Sequence, residues 1–566
     1  MADGSGAQRI RHPWEAHYTE GVHWDADLPL GPMTEILDAA VARYPDNPAT
    51  DFLNKVTSYR DIGAAANRFA KGLQALGVTK GDRIGLFLPN CPTFIIAYYG
   101  ALKAGATVVN FNPLYALREV EHQILDSGVT LMVTLDLGIL LEKLEPMLSA
   151  TGLQRLVIAK MASLLPFPKN LLYPIVRAKD VAKITWDDRH LKFADVIDND
   201  GAFSPVPLTG DDLAVLQYTG GTTGTPKGAM LSHGNLRANT EQCRTWFNRA
   251  EEGKERMMGV LPFFHVFAMT GVMNLSIRLG ALIIMMPRFE LDGCLKLLND
   301  KKPTIFPAVP TIYTAINNHP KLSEFDLTSL KMCVSGGAAL PLEVQKRFEE
   351  LTGCSLVEGY GLSETAPVAC CNPLFAQSKS GSIGLPLPHT EVAVVSLEDR
   401  TTPVPQGERG EVCIRGPQVM SGYWNKPDET AVAMENGWFH TGDVGVQDEQ
   451  GYFFIVDRLK DLILCGGFNV YPRNVEEAIY LHDAVEEVIV AGIADSYRGQ
   501  TVKAYVKIKD GKSLDKAELT AFLKDKLSPI EQPKKVEFRD VLPKTMIGKL
   551  DRKALLQEPE AQQQAG

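Results

Sequence analysis

The stretch YTGGTTGTPKG, Tyr218 to Gly228, holds the densest set of groups able to do chemistry, directly after the apolar run LAVLQ. Gly220, Gly221, Gly224 and Gly228 let backbone amides approach a ligand closely. Thr219, Thr222, Thr223 and Thr225 add hydroxyl donors, and Lys227 adds a positive charge. Amides, hydroxyls and an ammonium together suit a polyphosphate. No GK[ST] closes the run, so this is not the Walker loop. A glycine-rich surface turn is the plain alternative, and the threonine density and closing lysine weigh against it.

Further motifs follow in order. LPFFHVFA, 261–268, sets His265 among Phe263, Phe264 and Phe267. Alone, a histidine in an apolar run reads as a satisfied core residue; its aromatic neighbours favour a pocket. The next run, MTGVMNLSIRLGALIIMM, suits the wall of an apolar tunnel and equally a buried helix and strand. SGGAAL at 335–340, EGYGLSET at 358–365, WFHTGD at 438–443, VDRLKDLI with Arg458, LKDLILCGGFNVYP and PKTMIGK at 543–549 complete the set.

Taken together the array resembles the adenylate-forming superfamily of acyl-CoA synthetases, peptide-synthetase adenylation domains and luciferases. The likeness covers nearly the whole chain. Its Gly220, where the commoner form has Ser, is similar to bacterial long-chain fatty acyl-CoA ligases, and it removes one hydroxyl contact. The resemblance implies that Thr219, Gly220, Gly221, Thr222, Thr223, Gly224 and Lys227 hold ATP phosphates. It implies that Gly336 and Gly337 lie against adenine, within a wall shared by Glu358, Gly359, Tyr360 and Gly361. Tyr360 would pack on the base, Ser363 contact the α-phosphate, and Glu364 help hold Mg²⁺, a hard cation suited to carboxylate and phosphate oxygens. Asp443 would take both ribose hydroxyls, as a carboxylate does well, with Arg458 as a second ribose contact. His265 would sit near the reacting carboxylate. Lys460 matches the hinge, Gly466 and Gly467 the loop near the CoA thiol, and Lys549 the adenylation lysine. GEVCIRGPQVMSGYWNKPDET, 410–430, is expected to be scaffold.

The implied reaction joins a fatty acid, ATP and CoA. Carboxylate attack on the α-phosphate gives acyl-AMP and pyrophosphate, and the CoA thiolate then displaces AMP. Long-chain fatty acids are expected ahead of medium-chain or aryl acids. The stretch at 261–268 has no acid to hold a substrate ammonium, which counts against amino acids. Transfer to a carrier protein is the second reading, although no insertion stands between Tyr452 and Asn469. A non-enzymatic nucleotide- or lipid-binding protein is the third.

Elements must position these groups. Helical and strand patterns alternate through the first two thirds of the chain, which predicts α/β architecture, a parallel sheet covered by helices. After residue 385, TEVAVVS, GEVCIRG and GYFFIVD predict a β-rich subregion. From 459 a helix, two strands and a helix predict a small α+β domain, mobile by resemblance. The expected division is 1–458 for AMP and acyl binding and 459–566 for the C-terminal domain.

A chain of 566 residues needs more than one domain. Its net charge of −10 argues against a nucleic-acid surface. Nine scattered cysteines without a CxxC argue against a disulfide framework or a zinc site and suit a reducing compartment. The N-terminus has no apolar signal core, so the protein is expected in the cytoplasm. One segment stands apart. MASLLPFPKNLLYPIVRAKD, 161–180, is apolar and flanked by Lys160, Lys169, Arg177 and Lys179. Pro166, Pro168 and Pro174 argue against one regular helix. It reads as a loop packed on the core or as a patch for the inner face of an anionic membrane.

Overall fold

The computed structural model describes residues 12–219, 226–465, 468–495, 499–545 and 550–557. The chain divides into two compact units, Met1–Glu391 with Ile414–Phe439, and Val392–Cys413 with His440–Gly566. The expected division at 458/459 falls inside the second unit.

The first unit carries two large sheets. One has the order His190–Lys192, Arg155–Ala159, Leu131–Leu135, Arg83–Leu86, Thr107–Asn110, Leu213–Thr219, Lys227–Ser232. All its neighbours run parallel except the last pair, which is an antiparallel hairpin. The other has nine strands. Its parallel centre runs from Ser355–Gly361 through Met332–Gly336, Ile305–Ala308, Arg256–Gly259 and Leu282–Met285 to Pro48–Phe52. Antiparallel strands close both sides, Val368–Cys371 then Leu385–Pro386 on one and Lys55–Ser58 on the other. The expectation of parallel sheets thus holds for the centres. At Lys55–Ser58 and Val368–Cys371 the chain turns back because the connections 53–54 and 362–367 are too short for a parallel crossover.

The central strands read as continuous apolar runs because helices cover both faces. The strands Leu131–Leu135 and Thr107–Asn110 are buried at every position. Helix Tyr59–Ala75 begins where the Ser58 hydroxyl accepts from the Asp61 N–H, a standard cap for an otherwise orphaned donor. It lies close to helix Pro92–Lys103, and an added Cβ on Gly100 would stand 2.8 Å from the Phe69 ring.

The run expected as a tunnel wall or as a buried helix and strand forms a buried helix and strand, and its Gly271 and Leu275 line an apolar cavity. Met269–Asn274 is a wholly buried π-helical turn, followed by helix Leu275–Leu279 and strand Leu282–Met285. Helix His233–Trp246 is tied to it through a buried carboxylate. Arg278 Nε donates to both Glu241 oxygens at 2.9 Å, and Arg237 Nε lies 3.2 Å from Glu241. Losing one partner of such a buried pair costs about 3–5 kcal/mol.

The second unit has two sheets. The first has Glu391–Val395, Gly410–Arg415 and Trp438–Gln447 in order, with Phe453–Arg458 also pairing Trp438–Gln447. The second holds Phe468–Val470, Ile463–Cys465, Gly499–Ile508 and Val485–Asp495, with Lys535–Phe538 parallel to Gly499–Ile508. Helices Pro472–Tyr480 and Lys516–Leu523 pack on it around a core containing Val475, Ile479, Val490, Val502 and Leu519.

Residues 161–180 depart from the packed-loop expectation. Met161 and Leu165 are buried, yet helix Lys169–Val176 buries none of its residues and holds Pro174 within it.

The hairpin after Gly361 gives a direct check on this packing. A Cβ on Gly361 would stand 2.0 Å from the Pro367 carbonyl oxygen. That oxygen already accepts from Leu362 N and Thr365 Oγ1, so it cannot retreat freely. Gly361→Ala should lower stability by about 1–3 kcal/mol, read as a lower midpoint in differential scanning calorimetry. An unchanged midpoint would show that the hairpin yields.

Candidate active site

The first unit gathers its candidate residues at the C-terminal ends of parallel strands. In open α/β sheets this is where ligands bind, because the loops there are free of the ladder. Thr219 ends one strand and pairs across the hairpin with Lys227. Gly220, Gly221, Thr222, Thr223 and Gly224, which lie between these strands in sequence, are outside the described residues.

In the nine-stranded sheet, Ser335 pairs with Glu358 and Gly336 with Gly359. Two motifs more than twenty residues apart in sequence therefore share one sheet edge. Glu358 is buried and accepts from the Leu340 N–H at 2.7 Å, which pulls the SGGAAL loop back over the strand end. Gly337 has φ +84°, the left-handed region glycine occupies most readily. A Cβ on Gly336 would stand 3.0 Å from the Phe267 ring, so the glycine makes room for that aromatic. Tyr360 is half-buried on the same strand and pairs with Cys370.

Ser363 and Glu364 lie in the short 3-10 helix Ser363–Thr365 at the tip of the hairpin between Ser355–Gly361 and Val368–Cys371. Three elements hold that tip. Asn239 donates to Val368 O at 2.7 Å and accepts from Val368 N at 2.9 Å. Thr270 Oγ1 donates to Ala366 O at 2.7 Å. Met420 N donates to Glu364 O at 2.8 Å. The tip also packs on the strands Leu213–Thr219 and Lys227–Ser232. The two sheets thus bring their motif-bearing hairpins together.

Sequence reasoning assigned 410–430 to scaffold and passed over Tyr423. The backbone of 421–424 pairs with the outer strand Lys227–Ser232, through Trp424 N to Gly228 O at 2.8 Å, Met230 N to Gly422 O at 2.9 Å and Ser421 N to Met230 O at 3.1 Å. It carries Tyr423 into the site. The Lys227 ammonium lies 5.2 Å from the Tyr423 ring centroid, and the Tyr423 hydroxyl donates to Glu364 Oε1 at 2.7 Å. Burial first, then the Glu364 charge and hydrogen bond, holds the phenol well above its ordinary range. It therefore stays protonated and remains a donor. No local signal in SGYWNK singles this tyrosine out; only the strand pairing does.

His265 caps the short helix Val266–Ala268, its Nδ1 accepting from Phe267 N at 3.3 Å. The loop before it is clamped by buried Asn90, which donates to Gly259 O and Leu261 O and accepts from Phe263 N at 2.8 Å. Gln217 Nε2 donates to Phe264 O at 3.0 Å, joining this loop to the strand that leads into the phosphate loop. Below lies an apolar cavity walled by Trp246, Phe247, Phe267, Gly271, Leu275 and Val334, among others. It offers about 30 Å³, room for a water or two.

In the second unit, Asp443 and Arg458 are cross-strand partners, with Arg458 Nε 3.0 Å from Asp443 Oδ1. The strand stretch leading to Asp443 is set by Glu411, another residue the sequence reading left as scaffold. Glu411 accepts from Gly442 N at 3.1 Å, lies 3.0 Å from His440 Nδ1 and meets Arg400 Nε at 3.1 Å. Cys413 Sγ stands 3.3 Å from the same His440 nitrogen. Thr441 Oγ1 donates to Val412 O and accepts from Asp443 N. Lys460 follows on the 3-10 helix Leu459–Asp461. Its ammonium is pushed below the usual lysine range by desolvation, then by Arg458, against the pull of Asp461 and Asp443. Gly466, Gly467 and Lys549 lie outside the described residues.

The chain matches the description AMP-binding enzyme over residues 37–424 and AMP-binding enzyme C-terminal domain over residues 474–549. It is 46 % identical over 551 residues to a long-chain-fatty-acid–CoA ligase of Bacillus subtilis (strain 168), covering 96 % of this chain and 98 % of that one. It is 40 % identical to a protein of the same name from Escherichia coli O6:H1, covering 93 % and 94 %. Among solved structures it resembles ATP-bound MatB from Rhodopseudomonas palustris, with a TM-score of 0.81 and 28 % identity over 92 % of this chain and 98 % of that chain.

The Lys227–Tyr423–Glu364 chain yields a measurable expectation. Tyr423→Phe keeps the ring under Lys227 and removes the donor to Glu364. A hydrogen bond to a charged group is the stronger kind, so binding of ATP with Mg²⁺ should weaken roughly 3- to 10-fold while the thermal midpoint stays close to wild type. Isothermal titration of both proteins checks this, and equal affinities would remove the hydroxyl from the site.

Proposed function

The chain belongs to the AMP-binding enzyme family, and from that premise we propose that it activates a long-chain fatty acid with ATP and joins it to CoA. The observation that carries the reading is the packing of the hairpin tip bearing Glu364 on the strand that begins at Lys227, with an apolar cavity lined in part by Val368 and Cys371 of the same hairpin. A phosphate-binding turn, a carboxylate suited to a cation and an apolar slot are what an acyl adenylation needs.

A carboxylate is a poor acyl donor because oxide is a poor leaving group. In the proposed first step its oxygen attacks the α-phosphorus of ATP, and pyrophosphate leaves. In the second, the CoA thiolate attacks the acyl carbon, and AMP leaves. The protein supplies positioning and charge neutralisation rather than a covalent nucleophile. All nine cysteines are free and buried, and none has a part in this chemistry.

Thr219, Lys227 and the amides of the loop between them would hold the polyphosphate. Gly336, Gly337, Gly359 and Tyr360 would form the adenine wall, and Ser363 would reach the α-phosphate. Asp443 and Arg458 would hold the ribose. His265 would orient the acid, whose chain enters the cavity as Phe267 and its neighbours turn. Glu364 suits Mg²⁺ by its chemistry, a hard carboxylate with one oxygen already engaged by the Tyr423 hydroxyl. Bound there, the cation would neutralise phosphate charge. Substrates of this kind and nine cysteines outside any disulfide suit the cytoplasm.

The deciding experiment is pyrophosphate release across acids from acetate to oleate, with aryl acids alongside, in the presence of CoA. Release should be greatest with the long-chain acids. A maximum at aryl acids, or no release with any acid, would overturn the reading.

A second expectation concerns the division of labour. Negative charge grows on the departing pyrophosphate only in the first step, so Lys549 should serve that step alone. Lys549→Ala should lose adenylation by orders of magnitude yet still convert supplied acyl-AMP and CoA to acyl-CoA. Equal loss in both half-reactions, with unchanged circular dichroism, would show that Lys549 serves both.

A further inference from the structure

The segment set apart in the sequence remains outside this chemistry. It leaves and re-enters the first unit at one residue. Met161 N donates to Asp136 Oδ1 at 2.7 Å and Ala182 N to Asp136 O at 2.9 Å, while Gly138 N donates to Asp180 O at 2.8 Å. Met161 and Leu165 pack inward, and Lys55 Nζ holds Ser163 O at 2.6 Å. The base is therefore closed and fixed.

Beyond that base the chain puts its apolar residues outward. Phe167, Leu171, Leu172, Ile175 and Val176 are 51–78 % exposed, and helix Lys169–Val176 buries no residue. Such a contiguous apolar patch is costly in water and marks a surface with an occupant. The charge around it points to which one. Lys160, Lys169, Arg177, Lys179 and Lys183 are all exposed, and Asp180, ion-paired to Arg177, is the one acid in 160–183. This local excess of positive charge sits on a chain of net charge −10.

We propose that residues 161–182 dock the protein on an anionic lipid bilayer, the helix Lys169–Val176 lying in the interface. Its apolar side chains enter the boundary between headgroups and acyl chains, about 5–10 Å deep. The lysines and Arg177 meet lipid phosphates, each contributing at close range and losing effect beyond a Debye length. A negatively charged bilayer repels the body of an acidic protein and attracts this patch, so the same charges set the orientation. This inference stands on exposure and charge and is independent of the acyl substrate.

The test uses the full-length protein and sedimentation with vesicles of phosphatidylglycerol and phosphatidylcholine, against phosphatidylcholine alone. The wild type should bind the anionic vesicles at about 0.05 M salt and release at about 0.5 M. Lys169→Gln/Arg177→Gln/Lys179→Gln should weaken binding about 10- to 100-fold. Leu171→Ser/Ile175→Ser should weaken it comparably. Both variants change exposed side chains only and should keep the wild-type thermal midpoint. Ile175→Trp should show a blue-shifted emission with anionic vesicles. Absence of binding at low salt overturns the proposal, as does binding that neither variant reduces. Self-association in lipid-free buffer that Leu171→Ser/Ile175→Ser abolishes would assign the patch to a second copy and likewise overturn it.

Discussion

Lys227 and Glu364 carry opposite charges on hairpins that pack together, and Tyr423 stands between them. Paired directly, the two would spend their charge on each other and leave little for a phosphate or its cation. The aromatic ring instead offers Lys227 a weak, non-neutralising partner. The hydroxyl fixes the carboxylate without supplying a counter-charge. This arrangement needs the segment 420–424 at the outer strand Lys227–Ser232, which in turn closes an edge that would otherwise present unpaired backbone groups.

The same logic explains why Ser363 and Glu364 sit at a hairpin tip. A parallel strand must hand its chain to a long crossover, whereas an antiparallel return keeps the tip short and braced on both sides. The Glu364 tip is braced further by Asn239 and Thr270, which come from the two helical elements walling the apolar cavity. Glu241, between Arg237 and Arg278, ties those elements to each other. A shift of the cavity walls is thereby linked to the carboxylate at the hairpin tip through two hydrogen bonds.

The second unit uses a different device. Asp443 sits on a strand whose preceding residues Glu411 holds by the Gly442 N–H and His440. Near by, Asp457 accepts from Arg458 N and Arg473 N, so one carboxylate binds the strand end and the start of helix Pro472–Tyr480. Burial pushes Asp457 up to about 6, against those two N–H groups and Arg552 and with help from Glu476. Asp461, at the end of the short turn Leu459–Asp461, is held in its turn by Arg552 Nη1 at 2.7 Å.

Much of this protein is legible in its sequence. Periodicity finds the central strands and helices because burial on both faces imposes apolar runs that need no partner to be recognised. Spacing finds the two glycines of SGGAAL and the EGYGLSET run because close backbone approach and a short turn demand particular residue types. Tyr423, Asn239, Asn90 and Glu411 carry no such mark. Each is an ordinary polar or aromatic residue whose meaning lies in a partner across a sheet edge or in another element, more than twenty-five residues away. The orientation of residues 161–180 is likewise a tertiary outcome. The sequence shows apolar and basic residues side by side, and only the pinning of both ends at Asp136 turns that apolar surface outward, because the core beneath is already filled.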